Sequence, residues 1–577
     1  METHRFETAT HQVDLCVVGG GMAGLIAAVS AARHGAKVLL MQDRPVLGGN
    51  ASSEIRMWIC GAHGADAKET GLLEEIMLAN YYRNRNMKYA LWDTVLYEKA
   101  RYTEGITLLL NCACHEVTTD GHHIVSVKGY QSTTQTFHEV QAKYFADCSG
   151  DSVLRICGAE HRWGREARHE YNESQAPEVT DEHTMGNSIL IQSREVSGEH
   201  RPFIAPQWAL KFSEADLPNR YLTPTGENFW WLELGGMKNT IADAETLRDD
   251  LLKVAFGVWD LIKNHPDGRA KDWELDWIGA LPGKRENIRY VGDHVLTQNE
   301  VLAGGKFEDV VAYGGWPMDD HPPAGLYFRG QPTVFHNTPS PFGIPYRSLY
   351  SKNIDNLFFA GRNISATHMA MSATRVMATC SLVGQAAGSA AALAVKYSCS
   401  PRAVAEHHVP ELQQMLMDDD CFLPGLLRSI PEASRQAELS SANGDAQAVR
   451  SGFDRVFGGQ DNGWWGQAGE AITYTFAAPR RLSQARLVFD SDQSDKKRMP
   501  CWIPKEGTTV QMPGMLARAF ALEARDAAGI WQRIYRAEDN YERLVRVPLA
   551  LETQAVRFVP QSSWGADRVH LMAFDVS

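Results

Sequence analysis

The glycines near the start of the chain have the spacing of a phosphate-binding turn. They form a G-x-G-x-x-G pattern directly after residues 13–18, which are apolar except for Asp14. The first glycine permits a tight turn, the second lets backbone approach a pyrophosphate, and the third permits close packing of a helix on a strand. Free N–H groups at the start of that helix would donate to the phosphates. The residues expected at this dinucleotide site are Gly19, Gly21, Met22, Ala23 and Gly24.

The elements that must position this turn are predicted to be a strand, a helix and a second strand. Residues 13–18 predict the first strand, residues 25–34 the helix, and residues 37–41 the second strand. In such units an acidic residue at the end of the second strand binds a ribose hydroxyl. Gln42 occupies that place and Asp43 follows it, so both are candidates.

A second glycine pair predicts another close approach of backbone to the cofactor. It begins a longer pattern, made of Gly48, Gly49, Asn50, Ser53, Glu54, Ile55, Arg56, Trp58, Cys60, Gly61, His63 and Gly64. This pattern resembles the FAD-dependent oxidoreductases of the glutathione-reductase-like superfamily. The resemblance is to the branch with G-G-N, S-E-I-R-x-W and then C-G-x-H-G.

The resemblance implies FAD as the cofactor and identifies further elements that would bind it. Residues 356–363, followed by the Ala/Gly-rich residues 371–395, are similar to the strand, Ala-Gly pair and helix that face the flavin pyrimidine ring. Residues 145–151 are similar to the segment that returns the chain to the FAD domain. The additional cofactor-binding residues expected are Gln42, Asp43, Arg44, Gly48, Gly49, Asn50, Ser52, Ser53, Cys114, Ser149, Gly150, Gly361, Arg362 and Ser372.

Three histidines and one arginine are the candidate catalytic residues. Removing a hydride from an alcohol carbon requires a base for the hydroxyl proton, and histidine titrates in the useful range. His63 follows the second glycine pattern, His368 lies at the start of the helix expected to face the flavin, and His321 lies beside two aspartates. The sequence does not rank them. Arg285 is a candidate for binding a substrate carboxylate.

The segment between the two FAD-binding parts is rich in tryptophan. The alternation in residues 227–233 predicts a strand with Trp231 and Glu233 on one face. Aromatic rings beside carboxylates, arginine and histidine suit a polyhydroxylated ligand. We therefore expect an FAD-dependent oxidoreductase that transfers a hydride from a hydroxyl carbon of a carbohydrate or carbohydrate-derived small molecule to the flavin.

Several alternatives remain open from sequence alone. The same layout could reduce or oxidise an unsaturated carboxylate, with Arg285 and Arg375 on the carboxylate, or assist glycoside cleavage by elimination. A flavin- and glycan-binding protein without turnover is a third alternative. Cys60 could attach the flavin or act as a redox thiol, although a buried free thiol is the ordinary use of cysteine. The electron acceptor is not indicated, and a homo-oligomer is left open.

Composition excludes several classes of partner. The chain has 577 residues and a net charge of −13, which argues against nucleic acid as a ligand. Its ten cysteines contain no C-x-x-C pair, so neither a metal site nor a dithiol motif is expected. The first twelve residues lack an apolar stretch, and glycines interrupt the uncharged residues 15–32, so a cytoplasmic protein without a membrane partner is expected.

Chain length and pattern predict an α/β fold with several domains. Residues 1–160 and 346–428 are predicted to form a discontinuous Rossmann-like FAD/NAD(P)-binding domain, and residues 161–345 an inserted α+β substrate domain. Residues 429–452 are predicted to be a linker. Short alternating segments in residues 453–577 predict an antiparallel β-sandwich. There, Asp454 and residues 462–465 resemble a discoidin-like, galactose-binding-like fold.

Overall fold

A computed structural model describes residues 6–196, 198, 201–441, 443–495 and 498–577 of the chain. The chain divides into two compact units. Unit 1 consists of Met1–Ala62, Asn86–Leu412 and Arg498–Thr508, and unit 2 of His63–Arg85, Gln413–Lys497 and Thr509–Ser577. The fold is mixed α/β, with an antiparallel β-sheet in the C-terminal part.

Unit 1 is built on a seven-stranded sheet. Its strands are β1 (Thr8–Val18), β2 (Val38–Met41), β3 (Ile106–Leu109), β4 (Cys112–Asp120), β5 (His123–Gln131), β6 (Thr136–Asp147) and β7 (Leu357–Phe359). The strand order is β3-β2-β1-β6-β5-β4, and β7 also pairs with β6. β1 lies parallel to β2 and β6, and β7 lies parallel to β6. The carboxyl ends of these strands therefore meet at one edge, where ligands bind in sheets of this kind.

Three helices of unit 1 bear on the site: α1 (Met22–Arg33), α2 (His368–Thr374) and α3 (Met377–Tyr397). α1 and α3 pack with their backbones in close contact. A Cβ added at Gly384 would lie 2.2 Å from the carbonyl oxygen of Ala23, and one at Gly388 2.2 Å from that of Ala27. The two glycines thus place α3 directly against the helix that follows the first glycine turn.

The single helix expected over residues 371–395 is two helices in the structure. α2 ends at Thr374 with Arg375 as its C-cap, Val376 is extended (φ −65°, ψ 144°), and α3 begins at Met377. Among the described residues, α3 alone is long and apolar enough to cross a membrane by length and composition. Its apolar window is 94% buried inside the protein, and a core helix passes the same test.

The rest of unit 1 consists of short strands and helices. The strands are His161–Arg162, Asn187–Ser188, Ile191–Glu195, Glu233–Leu234, Trp273–Ile278, Gly283–Lys284, Arg289–Tyr290, Val310–Gly314, Met318–Asp320, Val334–His336 and Phe342–Pro345. The helices are Tyr89–Arg101, Arg168–Tyr171, Ala244–Lys263, Gln298–Leu302 and Pro401–His407, while Val409–Asp418 runs across the boundary into unit 2. The apolar face of Ala244–Lys263 packs on a core that includes Trp231 and Trp259.

The strand expected over residues 227–233 is not formed. Gly226–Phe229 is a 3₁₀ turn in which Glu227, Asn228 and Phe229 all have positive φ, so only Glu233–Leu234 is extended. Trp231 lies in the core and is 1% exposed. Burial of tryptophan, rather than sheet pairing, therefore produces the apolar pattern in this stretch.

Unit 2 contains a second seven-stranded sheet, in which every pairing is antiparallel. Its strands are Glu438–Ser441, Trp464–Gly466, Ile472–Phe489, Ala517–Arg525, Trp531–Ala537, Leu544–Ser563 and Val569–Val576, and its helices are Leu72–Arg83 and Glu432–Gln436. Ile472–Phe489 and Leu544–Ser563 are longer than the short segments that the sequence pattern indicates, and they pair with each other with register shifts. Phe489, Phe520, Phe558 and Phe574 pack together in its core.

Two expectations for the C-terminal part differ from the structure. Within the predicted linker 429–452, Glu438–Ser441 pairs with Ile472–Phe489, so this stretch is part of the sheet. Asp454 is held in a buried ion pair with Arg428, at 2.8 Å, and with Arg486, at 2.8 Å. Its role in the structure is therefore to neutralise two buried guanidinium groups.

Candidate active site

A cavity of about 550 Å³ lies in unit 1, at the carboxyl ends of β1, β2 and β6. Cavities that bind drug-sized ligands have volumes of about 300–1,000 Å³. Part of its lining is made by the predicted cofactor-binding residues Gly19, Gly21, Met22, Ala23, Gln42, Asp43, Arg44, Gly48, Gly49, Asn50, Cys114, Ser149, Gly150, Gly361 and Arg362. Folding thus brings widely separated glycine turns to one wall.

The two key glycines of the first turn have different roles. Gly19 has φ +100°, and a Cβ there would lie 2.4 Å from the backbone of Ser149, so the fold itself requires this glycine. Gly21 has ordinary backbone angles, and a Cβ there would meet only the Cα of Gly49, at 3.9 Å. No side chain caps α1 at Gly21. The bare backbone and the free N–H groups of α1 therefore fit the pyrophosphate of a dinucleotide.

Gln42 and Asp43, the two candidates for binding the ribose hydroxyl, have different environments in the structure. The Gln42 side chain is buried, accepts a hydrogen bond from the Gly20 N–H at 2.6 Å and donates to the Val46 carbonyl at 3.2 Å. It therefore holds the turn. The Asp43 carboxylate is 63% exposed and lines the cavity, so it is the group available to a ribose hydroxyl.

Four predicted cofactor residues do not line the cavity, and each is occupied elsewhere. A Cβ at Gly24 would lie 1.8 Å from the Gly19 carbonyl oxygen, so Gly24 serves helix packing. The hydroxyls of Ser52 and Ser372 donate to the carbonyls of Gly49 and Met369. The Ser53 N–H donates to Asp93 at 3.0 Å. These residues stabilise the turns and helices through packing and hydrogen bonds within the protein and do not face the cavity.

A charged group not expected from sequence also lies on the cavity wall. Asp151 accepts hydrogen bonds from Lys284 at 2.5 Å, Asn287 at 2.6 Å and Arg362 at 2.8 Å. Burial raises the pKa of Asp151, but Arg362 and Lys284 outweigh it and keep the pKa below its usual value. The buried Nε of Arg362 has no hydrogen-bond partner among the described residues. A donor left unpaired at this wall fits a bound cofactor that accepts from it.

His321 stands in a buried polar cluster on the same cavity. Its Nδ1 lies 2.6 Å from Glu233 Oε2, and its Nε2 lies 3.3 Å from Asp319 Oδ1. Arg285 lies 3.4 Å from Glu233 and donates to the Trp230 carbonyl at 2.6 Å and the Ser188 hydroxyl at 2.8 Å. The Arg285 guanidinium is therefore fixed by the protein, which makes it a positioning residue for Glu233.

Asp319 is the second carboxylate of this cluster. It accepts hydrogen bonds from Thr333 at 2.5 Å and Arg375 at 3.1 Å. Burial opposes ionisation of Asp319, but His321 and Arg375 outweigh it and hold its pKa well below the usual value. Asp319 is therefore an anion at neutral pH, placed to stabilise positive charge on His321.

The other two predicted catalytic histidines do not line the cavity. His368 is buried, with Nδ1 2.9 Å from Glu286 and Nε2 3.2 Å from Asp320. Burial lowers the pKa of His368, but the two carboxylates overcome it and raise the pKa to about 10. A histidine that keeps its proton at neutral pH is unsuited to act as a base. His63 is exposed and belongs to unit 2.

The start of α3 lines the cavity, whereas α2 does not. Arg375, Val376, Met377 and Cys380 are all part of the lining, and no side chain caps α3. The helix end expected to face the flavin is therefore that of α3. Cys60 lies beside it, because its carbonyl accepts from the Ala378 N–H at 2.9 Å. Burial raises the pKa of the Cys60 thiol to about 11, so this thiol is protonated at neutral pH.

Aromatic side chains complete the lining. Those in contact with the cavity are Trp58, Tyr221, Trp230, Trp316 and Phe335. Trp230 packs edge-on against His321, with ring centroids 5.5 Å apart. The sequence pattern selected the neighbouring Trp231, which is in the core. Among the described residues, no cluster of three or more His, Cys, Asp or Glu side chains could hold a metal ion.

Bare glycine turns at the carboxyl ends of parallel strands are features of folds that bind a dinucleotide. A family model described as "FAD dependent oxidoreductase" matches residues 14–416. The chain belongs to this family. It is an FAD-dependent oxidoreductase, and FAD is its cofactor.

Solved structures offer distant likenesses. A geranylgeranyl bacteriochlorophyll reductase-like protein from Thermoplasma acidophilum is 13% identical, with 71% of this chain and 86% of that chain covered and a TM-score of 0.32. The family 32 carbohydrate-binding module of Streptococcus pneumoniae EndoD is 14% identical, with 24% and 94% covered and a TM-score of 0.19. The corresponding module of C. perfringens NanJ, in complex with galactose, is 8% identical, with 25% and 95% covered and a TM-score of 0.18. No curated protein of similar sequence was found.

Sequence reasoning missed several residues of the cavity. Asp151 lies next to the predicted Gly150 and could have been found as a charged residue at the end of β6. Trp230 carries no signal that distinguishes it from Trp231, because a non-repetitive turn decides which of the two side chains lines the cavity. Arg498 lies far downstream and has no motif around it.

Proposed function

We propose that this protein oxidises a hydroxyl-bearing carbon of a carbohydrate or carbohydrate-derived substrate. FAD, when bound, supplies the hydride acceptor. The proposal includes the finer fold assignment, namely a Rossmann-like FAD domain of the glutathione-reductase-like branch with an inserted substrate domain. The observation that carries it is the placement of His321 on the cavity with Glu233 at its Nδ1.

Glu233 orients His321 for proton transfer. With Nδ1–H donating to Glu233, Nε2 is the ring nitrogen that accepts a hydroxyl proton from the substrate. Burial raises the pKa of Glu233, but Arg285 and His321 overcome it and lower the pKa, so Glu233 stays ionised. Asp319, 3.3 Å from Nε2, stabilises the imidazolium that results.

The choice of a carbohydrate is supported by the mixed character of the lining. Trp230 and Trp316 offer flat apolar surfaces, and Asp319 and His321 offer polar groups beside them. A sugar presents apolar C–H faces and fixed hydroxyls, which match such a surface. The unpaired N–H groups at the start of α3 favour negative charge nearby by about 0.3–1 kcal/mol.

The test is anaerobic reduction of the FAD-loaded protein by a panel of sugars. Reduction is measured as bleaching of the visible absorption band of the flavin. Wild type and His122→Gln, a change at an exposed surface histidine, are expected to be bleached by at least one sugar. His321→Gln is expected to be bleached about 10²- to 10⁴-fold more slowly, with FAD content unchanged.

Three outcomes would contradict the proposal. Bleaching of His321→Gln at the wild-type rate would remove His321 as the base. Bleaching by dithionite but by no sugar would indicate a protein that binds flavin and glycan without turnover. Reoxidation of the reduced protein by an unsaturated carboxylate, without reduction by any sugar, would indicate a reductase.

A further inference from the structure

A segment far downstream of the family match forms part of the cavity wall. The family model ends at residue 416, yet Arg498–Thr508 groups with unit 1. Its backbone is fixed there. Pro500 O accepts from Gln192 Nε2 at 3.0 Å and from the Tyr89 hydroxyl at 3.2 Å, and the Ile503 N–H donates to Ser193 O at 3.1 Å. Lys505 pairs with Glu195 at 2.9 Å. The hydrogen bonds to Gln192 and Ser193 hold the segment on the strand Ile191–Glu195, and the exposed Lys505–Glu195 pair contributes little.

The first residue of this segment brings a guanidinium group to the cavity. Arg498 is half-buried, lines the cavity, and places Nη1 3.9 Å from the Cys60 Sγ. Arg498, Arg375 and Asp319 each affect the pKa of the Cys60 thiol. Arg498 and Cys60 line the same cavity as Asp319, His321 and Arg375.

The charges of this part of the wall do not balance. Arg285 is paired with Glu233 at 3.4 Å, and Arg375 is paired with Asp319 at 3.1 Å. Among the described residues, no carboxylate forms an ion pair with Arg498. In addition, the buried Nε of Arg375 has no hydrogen-bond partner in the described part of the chain. One positive charge without a carboxylate partner and one N–H donor without an acceptor therefore belong to residues of the same cavity as the proposed base.

We propose that Arg498 binds the carboxylate of the substrate, so that the sugar oxidised here is a sugar acid. A guanidinium group matches the planar geometry of a carboxylate and binds it through two parallel hydrogen bonds. A carboxylate carries one negative charge, which the unpaired charge of Arg498 neutralises, whereas a phosphate monoester would leave charge uncompensated in a partly buried site. This inference deepens the proposed function and rests on it for the reaction.

Binding to the oxidised, FAD-loaded protein tests Arg498 without any turnover. The probes are D-glucuronate and D-galacturonate, with D-glucose, D-galactose and D-glucose 6-phosphate for comparison, measured by calorimetry. For wild type we expect at least one uronate to bind more tightly than its neutral sugar and than the phosphate ester. Arg498→Gln is expected to weaken uronate binding by about 10- to 100-fold and to leave the neutral sugar unchanged. Arg498→Lys keeps the positive charge but cannot form two parallel hydrogen bonds with a carboxylate. Its affinity for the uronate should lie between those of wild type and Arg498→Gln.

The matched control is Lys505→Gln, which removes a positive charge from the same segment at a side chain that is 69% exposed. It is expected to bind uronates as wild type does. In turnover, Arg498→Gln should raise KM for the uronate and change kcat little, because the base is intact.

Several results would overturn the inference. One is an equal loss of affinity for the uronate and its neutral sugar in Arg498→Gln. Another is tighter binding of the phosphate ester than of the uronates by wild type. Loss of FAD from Arg498→Gln would assign the guanidinium to the cofactor instead. The outcome is independent of the reaction, since uronate binding that depends on Arg498 can be observed even if no sugar reduces the flavin.

Discussion

Replacing His368 by glutamine should destabilise the protein and leave its chemistry intact. His368 lies between Glu286, at 2.9 Å, and Asp320, at 3.2 Å, and all three are largely buried. Glutamine can donate to one of these carboxylates but carries no charge. Glu286 would keep its ion pair with Arg289, but Asp320 would lose the imidazolium that neutralises it.

Two estimates give the size of the effect. The pKa of about 10, against 6.5 for an ordinary histidine, corresponds to an upper limit of roughly 5 kcal/mol. Removing one partner of a buried ion pair costs about 3–5 kcal/mol. We therefore expect His368→Gln to lower the free energy of unfolding by several kcal/mol at pH 6.

The pH dependence identifies the cause. Because the folded-state pKa of His368 lies above its unfolded value, the stabilisation is complete below about pH 6.5 and is lost as the pH rises through about 10. The difference between wild type and His368→Gln in urea unfolding should thus shrink from pH 6 to pH 10. His122→Gln, at an exposed site, should show no such difference.

Two results would refute this reasoning. A difference in stability that stays constant from pH 6 to pH 10 would show that the charge of His368 is not what stabilises the fold. Unchanged stability with strongly reduced turnover would return His368 to the list of catalytic residues.

Three further predictions concern the cofactor. Gly21→Val should fold but purify without colour, because a Cβ at Gly21 meets no chain atom closer than 3.9 Å and would occupy the space of the pyrophosphate; thermal unfolding and FAD content check the two parts. Asp43→Ala should weaken FAD binding by about 5- to 10-fold without loss of stability, measured by titration of the apoprotein; unaltered affinity would exclude this ribose contact. Cys60→Ser and wild type should both release all their FAD on acid precipitation, because a thiol with a pKa of about 11 is not a nucleophile at neutral pH; flavin retained only by wild type would show a covalent bond.

The sequence by itself determined the elements whose requirements are local. A strand, a tight turn and a helix packed through glycine depend on neighbouring residues, so Gly19, Gly21 and Gly24 predicted a dinucleotide site and the unit that forms it. The resemblance that begins at Gly48-Gly49 implied FAD, and the family match confirms this cofactor. The same resemblance assigned Gly361 to the cofactor, and this residue lines the cavity.

Only the tertiary structure decided which polar residues lie on the cavity. On the strand Met318–Asp320 adjacent side chains point to opposite faces, so Asp319 reaches His321 and Asp320 reaches His368. Two adjacent aspartates and two histidines look alike in sequence, and the register of one short strand gives one pair to the cavity and the other to the core. Arg498 lies on the cavity because the segment that follows it contacts the strand Ile191–Glu195, some 300 residues earlier in the chain. Such long-range packing leaves no periodic signal in the chain, which is why the sequence predicted the cofactor and the fold was needed to propose a base.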